Sequence, residues 1–215
     1  QPMGSCLNVS GPVQLRARAV GTGPLEALQL YRGRDLVAET LPEAFREVRG
    51  SRRVRLVWGG SRIRGRGRRV TWDGTVQMEG SRILRAEPFA FDSPTDGITQ
   101  SGDSILHFRS RTTGDVDGID LWLDRSDQGA LTFSSPVGDL SLELSQLGTA
   151  PIRRDLGGLD MHVSVQRYPE ELRTRALDLH QTVSPEGDGF TPYFVRVIQA
   201  DGHMAWSSPV YLKPE

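Results

Sequence analysis

The chain has 215 residues, enough for one large domain or two small ones around a sizeable core. Its 26 basic and 27 acidic residues give a net charge of −1, so no overall field attracts it to nucleic acid or to an anionic membrane. Cys6 is the only cysteine, which excludes an internal disulfide and a thiolate metal site and leaves both the cytoplasm and the periplasm open as compartments.

The first quarter of the chain predicts a linker followed by short strands. Glycine and proline interrupt residues 1–12, as in a linker that arrives from a missing N-terminal domain. A further strand places Val54, Leu56 and Trp58 on one face, and it ends at Gly59-Gly60. Between the linker and that strand, alternating apolar residues predict strands at 13–20, 25–31 and 36–38.

The middle of the chain continues the same alternation. Residues 63–85 predict a pair of strands joined at Asp73-Gly74, because glycine accepts the backbone angles of a tight turn. Asp117-Gly118 predicts a second hairpin turn by the same argument. Residues 170–183 fit a helix by the spacing of their apolar residues and a strand by their position, and we favour the strand. Further strands are expected at 105–109, 119–123, 130–133, 140–144 and 159–165.

The chain closes on an apolar hairpin, residues 191–212. Its first strand alternates aromatic and β-branched residues, and Asp201-Gly202 supplies the turn. Pro209 cannot donate a backbone hydrogen bond, so we expect the return strand to lie at a sheet edge. We also expect Trp206, on that return strand, to belong to the core.

Many short strands separated by frequent turn signals are typical of an all-β sandwich. We therefore predict an all-β fold in which both chain ends, residues 13–60 and 187–215, form an immunoglobulin-like β-sandwich. A second antiparallel β-region, residues 61–186, would be inserted between them.

The sharpest charged feature is the arginine run that contains Arg62, Arg64, Arg66 and Arg68. Guanidinium groups bind oxyanions through paired hydrogen bonds, so this run is a candidate polyanion-binding surface. Alternatively, it is the solvent face of a hairpin whose arginines pair with scattered acids. Aromatic residues do not interleave with the run as base-stacking platforms would, so we expect no nucleic-acid partner.

A second candidate surface surrounds Trp122. Asp120 and Asp124 flank it, but the aspartate spacing fails the calcium-loop pattern, and we expect both carboxylates to lie in water. An outward tryptophan could stack on a sugar ring, or it could be covered by residues 170–183, which we favour.

The sequence holds no group of residues that predicts catalysis. His107, His162, His180 and His203 do not stand at metal-ligand spacing, and no nucleophile elbow or phosphate-binding loop is present. We predict no catalytic, metal or cofactor residues in this chain.

Several motifs resemble one protein family. They are, in order, Gly21-Thr22 with Pro24-Leu25 and LQLYRG, then WGGSRIRGRGRRVTWDG, Thr112-Thr113-Gly114, Gly157-Gly158-Leu159-Asp160 and YFVRVIQADGHMAWSSPVYL. In these the chain resembles the C-terminal β-region of large bacterial proteins whose N-terminal half is similar to the PHP (polymerase and histidinol phosphatase) metal-dependent hydrolases. The resemblance covers nearly the whole chain, and the function of the family that the chain resembles is unknown.

The resemblance implies that the metal ligands lie in an N-terminal half outside this chain, and none can be carried onto its residues. The chain would then be a non-catalytic accessory domain whose partner is that hydrolase-like domain of the same polypeptide. The alternative hypothesis is a carbohydrate- or polyanion-binding β-sandwich module that uses the arginine run or Trp122.

Overall fold

A computed structural model describes residues 4–185 and 187–215. More than half of these residues form strands, arranged mainly in antiparallel sheets, which confirms the predicted all-β fold class. The chain divides into two compact units: the terminal unit, Gln1–Glu43 with Glu171–Glu215, and the inserted unit, Ala44–Glu170.

The strands follow one another in chain order with short connections. The terminal unit opens with β1 (Cys6–Val9), β2 (Val13–Val20), β3 (Leu25–Arg32) and β4 (Asp35–Thr40), and a 3-10 helix follows at Glu43–Glu47. The inserted unit contains β5 (Arg53–Ser61), β6 (Val70–Thr71), β7 (Gly74–Glu79), β8 (Ile83–Phe89), β9 (Gly97–Ser101), β10 (Ile105–Arg109), β11 (Arg111–Thr112), β12 (Val116–Leu123), β13 (Ala130–Ser135), β14 (Gly138–Glu143), a 3-10 helix at Leu144–Gln146, β15 (Ile152–Gly157) and β16 (Leu159–Arg167). The terminal unit resumes with β17 (Ala176–Val183), β18 (Thr191–Gln199), β19 (Met204–Trp206) and β20 (Val210–Pro214).

The inserted unit is a sandwich of two five-stranded sheets. Their strand orders are β15-β16-β5-β12-β8 and β14-β13-β7-β10-β9, and β6 pairs separately with β11. The core between the sheets centres on Trp58, whose ring lies 4.5 Å from that of Phe108 and 5.5 Å from that of Phe133. Alternate apolar residues of both sheets face this core, as the period-two pattern requires.

The terminal unit contains one large and one small sheet. The large sheet has the order β1-β20-β18-β3-β4, with β19 attached to β18, and the small sheet is β17 paired with β2. β1 runs parallel to β20, whereas the other pairs in this unit are antiparallel. Its core contains Leu28 and Leu30 of the large sheet and Leu177 and Leu179 of the small one.

The unit boundaries differ from the predicted ones, which fell after residues 60 and 186. β5 lies in the inserted unit because it pairs with β12 and β16, and β17 lies in the terminal unit because it pairs with β2. Residues 1–12 are not wholly a linker either, since Cys6–Val9 forms β1. This strand has only four residues, and glycines and serines flank it on both sides, so its alternating pattern is too short to recognise in the sequence.

Both hairpin turns predicted in the middle of the chain are wrong. Trp72 and Asp73 join β6 to β7, which begins at Gly74, and the two strands pair with different partners. Asp117 and Gly118 lie inside β12, where a Cβ on Gly118 would sit 2.5 Å from the Leu56 carbonyl oxygen. Glycine is needed there for close approach of two strands and not for a turn.

The closing hairpin forms, but its return strand is divided. Met204–Trp206 pairs with β18 at the edge, whereas the strand after Pro209 lies between β18 and β1. Trp206 is 57% exposed, so the expectation that it belongs to the core is wrong. Residues 170–183 form a strand from Ala176 onward, as favoured from the sequence.

Candidate functional site

The arginine loop, residues 62–69, connects β5 to β6 and is exposed at every position. It carries the predicted Arg62, Arg64, Arg66 and Arg68, followed by Arg69. Among the described residues, no ion pair or hydrogen bond joins these arginines to an acid, so the alternative in which scattered acids neutralise them is not found. The loop therefore presents five guanidinium groups to solvent, none of them paired with a carboxylate of the described residues.

Trp122 is already engaged by protein groups. Its ring lies 4.2 Å from the Arg85 guanidinium carbon and 4.8 Å from that of Arg53, and its indole Nε1 donates to the Glu170 carbonyl oxygen at 3.1 Å. Cation–π contact of this kind occupies the ring surface that a sugar would need. Glu170 is the first residue of the segment that was expected to cover this side chain.

The structure does not bring the two candidate surfaces together. Trp122 pairs with Arg53 at the start of β5, whereas the arginine loop follows Ser61 at its end. Eight residues of extended strand separate those positions by about 26 Å. They are two places on one sheet and not one site.

A buried ion cluster, which sequence reasoning missed, lies on the face of that sheet opposite the core. Asp120 is 4% exposed and accepts hydrogen bonds from Arg53 Nη2 at 2.7 Å and from Arg55 Nε and Nη2 at 2.8 and 2.9 Å. The Arg55 guanidinium lies between the rings of Phe89 and Tyr168, at 3.8 and 4.0 Å from their centroids. The prediction that Asp120 lies in water is wrong because aromatic side chains cover this face.

The pairing of opposite charges across neighbouring strands was the signal that could have revealed the cluster. Arg55 lies directly opposite Asp120 in the β5–β12 register. Alternating arginines opposite one carboxylate are expected to bind it. With its hydrogen bonds used inside the protein, this carboxylate is suited to holding strands together and not to proton transfer.

A second buried carboxyl group, Asp117, accepts a hydrogen bond from Ser110 Oγ at 2.5 Å. Ser110 in turn accepts one from the Trp58 indole at 2.8 Å. Burial raises the pKa of Asp117 to about 7, opposed by the Ser110 hydrogen bond and assisted by the negative charges of Asp115 and Asp96. The Oδ1 atom of Asp117 has no hydrogen-bond partner among the described residues.

Two larger cavities of the inserted unit are lined by groups with structural roles. One, of about 450 Å³, is lined by residues that include Asp73, Asp96 and His107; Asp73 and Asp96 accept hydrogen bonds from the backbone of residues 110 and 111. The other, of about 590 Å³, contains Arg167, which donates to the carbonyl oxygens of Ser51, Leu144 and Leu147. These side chains hold loops in place.

The four histidines do not converge. His107, His180 and His203 are exposed, and the buried His162 has its Nδ1 2.8 Å from the Asp160 carbonyl oxygen. In the part of the chain that the structure describes, no group of three or more His, Cys, Asp or Glu residues is arranged to hold a metal ion.

An apolar surface of the terminal unit was not predicted. Trp206 lies opposite Arg196 and Met204 opposite Ile198, so these side chains share the outer face of the large sheet with Phe194. The Phe194 ring stacks on Tyr31 at 5.3 Å, and the Arg196 guanidinium lies 5.1 Å from the Tyr31 centroid. We call this surface the aromatic face, formed by Tyr31, Leu36, Phe194, Ile198, Met204 and Trp206.

Comparisons with known protein families, with curated proteins and with solved structures found no match for this chain. Within the described residues, no helix has the length and hydrophobicity needed to cross a lipid bilayer.

Proposed function

We propose that this protein is a non-catalytic accessory domain of a larger PHP-like metal-dependent hydrolase, and that it acts by binding the hydrolase domain. The aromatic face is the observation that carries the proposal. Trp206, Leu36 and Met204 are 57%, 49% and 47% exposed on it. Contiguous apolar surface of this kind marks interaction sites on soluble proteins.

The composition of the aromatic face is that of a protein–protein interface. Tyrosine, tryptophan, phenylalanine, methionine and arginine are enriched at interface centres, and lysine, aspartate and glutamate are depleted there. The face combines Tyr31, Phe194, Met204 and Trp206 with Arg196. The sequence resemblance supplies the occupant, a hydrolase domain of the same polypeptide.

The arrangement of the terminal unit supports an immunoglobulin-like assignment as part of this proposal. Immunoglobulin sandwiches pair a sheet containing strands C, F and G with a sheet containing strands B and E. The orders β4-β3-β18-β20 and β2-β17 fit C′-C-F-G and B-E, with the inserted unit between strands C′ and E. Small domains of this architecture commonly serve recognition.

The test is the mass and exchange behaviour of the native polypeptide. An immunoblot of source cells should show a product well above the 23.8 kDa of this chain. In that product, amides of residues 193–199 and 204–206 should exchange hydrogen more slowly than in this chain alone. A native product of 23.8 kDa, or equal exchange in both forms, would refute the proposal.

A second candidate function, polyanion binding, is favoured by the arginine loop. Five exposed arginines without acidic partners in the described part of the chain attract sulfated or otherwise anionic polysaccharides, and such binding weakens as salt rises. The covered ring of Trp122 gives neutral sugars no comparable surface. The loop therefore favours an anionic ligand over an uncharged one.

Heparin titration distinguishes this candidate from the first. The triple variant Arg64→Gln/Arg66→Gln/Arg68→Gln should lose at least tenfold in affinity at physiological salt. The variant Arg34→Gln/Arg49→Gln/Arg109→Gln makes the same charge change at exposed positions elsewhere and should bind as the wild type does. Equal losses in both variants would mean that only net charge matters and would remove the loop from consideration.

A further inference from the structure

The small sheet of the terminal unit has an open edge. Within the described residues, β2 pairs only with β17, so the opposite edge of β2 has no strand beside it. Unpaired edges carry backbone donors and acceptors that can pair with another chain. In the immunoglobulin-like arrangement proposed above, a further strand flanks the equivalent of β2, whereas here β1 pairs with β20 in the other sheet.

The core is also incomplete on the β2 side. Leu177, Leu179 and Val183 of β17 are buried, but the residues opposite them on β2 are only half-buried. Those residues are Ala19, Ala17 and Val13, and Leu15 is half-buried as well. The two strands face the same core, so the difference indicates that no described residue of the terminal unit closes it beyond β2.

Two cavities run along this open side. One, of about 190 Å³, is lined by residues that include Leu15 and Ala17 of β2 and Tyr193 of β18. The other, of about 230 Å³, is lined by residues that include Val20 at the end of β2 and Val197 of β18. We call the two cavities beside β2 the groove, and their lining includes apolar residues that the apolar side chains of an added strand could contact.

The charges on β2 determine which strand would fit. Its outward side chains include Arg16 and Arg18, and both are exposed. Arg18 lies 3.9 Å from Asp178 on β17, whereas Arg16 faces His180 and donates to Gln14. A second copy of β2 paired antiparallel about Ala17 would place Arg16 opposite Arg18, and like charges directly opposite are destabilising. An acidic strand is favoured instead.

We propose that the free edge of β2 binds an extended segment of a protein partner in which acidic and apolar residues alternate. The backbone of the segment pairs with β2, its acidic side chains lie opposite Arg16 and Arg18, and its apolar side chains fill the groove. Ala17 and Ala19 leave space for larger side chains of the partner. This is strand addition, a recurring mode of peptide recognition.

The test uses three capped octapeptides and the chain as it stands. The probe alternates glutamate and valine, one control alternates lysine and valine, and the other is the glutamate peptide N-methylated at alternate residues, which removes backbone donors. Only the unmodified glutamate peptide should bind saturably in calorimetry. Hydrogen exchange of residues 13–20 should slow when it is present.

Charge reversal adds a variant arm. Arg16→Glu/Arg18→Glu should lower affinity for the glutamate peptide at least tenfold and favour the lysine peptide, whereas Arg34→Glu/Arg49→Glu should change neither. The inference would be overturned by equal binding of all three peptides, by no binding, or by protection that maps outside β2. A dimer of this chain that Arg16→Glu strengthens, by replacing the like-charge contact with Arg18, would also overturn it, in favour of a second copy. These outcomes do not depend on the mass of the native polypeptide, so they fail independently of the proposed function.

Discussion

The two units use the same alternating strands and reach different degrees of closure. In the inserted unit, two five-stranded sheets cover each other, and most core side chains of the described residues are fully buried. In the terminal unit, a large sheet faces only β2 and β17, and more of the described core side chains are partly buried than buried. Alternation therefore determines which side chains share a face, but the number of covering strands determines whether that face is buried.

The largest expected effect is the difference in unfolding free energy between alanine variants of Trp58 and Trp206. Trp58→Ala removes a fully buried ring and its hydrogen bond to Ser110, and should lower the free energy of unfolding of the inserted unit by about 3–5 kcal/mol. Trp206→Ala, at an exposed position, should change stability by less than about 0.5 kcal/mol. Urea titration with far-UV circular dichroism measures both. A comparable loss in Trp206→Ala would show that the aromatic face is covered within this chain.

The second prediction concerns the buried ion cluster. Asp120→Asn leaves Arg53 and Arg55 without their buried carboxylate and should cost about 3–5 kcal/mol of unfolding free energy. Asp155→Asn breaks an ion pair with Arg153 whose carboxylate is 78% exposed, and should cost less than about 1 kcal/mol. Denaturant unfolding of the two variants provides the comparison. Equal losses would contradict the view that burial under aromatic rings increases the contribution of this cluster to the free energy of unfolding.

The third prediction examines the asymmetry of the small sheet. Leu179→Ala on β17 should lower the unfolding free energy of the terminal unit by about 2–4 kcal/mol, since the side chain is buried. Leu15→Ala on β2 should cost roughly half as much because its side chain already contacts water. Thermal and urea unfolding of both variants tests this. If Leu15→Ala proved as costly as Leu179→Ala, the core would be closed beside β2 and the groove would not exist.

The last prediction concerns the dependence of stability on pH, an effect that is small over any one pH unit. The pKa of Asp117 is raised to about 7, so the folded protein retains a proton that the unfolded chain loses near pH 4. The free energy of unfolding should therefore fall as pH rises from about 4 to 7, by at most about 1.4 kcal/mol per pH unit. Asp117→Asn removes this titration and should flatten the slope relative to the wild type. Urea unfolding at several pH values measures both slopes. Parallel slopes for the two proteins would contradict the raised pKa of Asp117.

The sequence predicted the fold class well and the candidate surfaces partly. Most strands and the exposure of the arginine loop could be inferred, because alternation and charge runs are local signals. Asp120 and Trp206 were assigned to the wrong environments for one reason. The alternating pattern predicts which face of the sheet a residue lies on, but it does not predict whether that face is covered. The side chains that cover it, such as Tyr168, come from distant parts of the chain.

The unit boundaries show the same limit. β5 carries an ordinary alternating pattern, and only its pairing with β12 and β16 assigns it to the inserted unit. The unpaired edge of β2 likewise could not be predicted from the sequence, because the absence of a neighbouring strand does not change the residue pattern of β2 itself.

The position of the inserted unit has a consequence for the order of folding during synthesis. β17 and β18 leave the ribosome only after residues 44–170, so the earlier strands of the terminal unit must wait for their partners. The two ends of the inserted unit are held together, with the Phe45 and Tyr168 rings 5.4 Å apart and Ser51 Oγ 3.1 Å from the Glu170 carboxylate. Once it has folded, the loop that separates the terminal strands is effectively short, and each halving of its length saves about 0.6 kcal/mol of closure entropy. A folded inserted unit thereby lowers the entropic cost of pairing the terminal strands that precede and follow it in the chain.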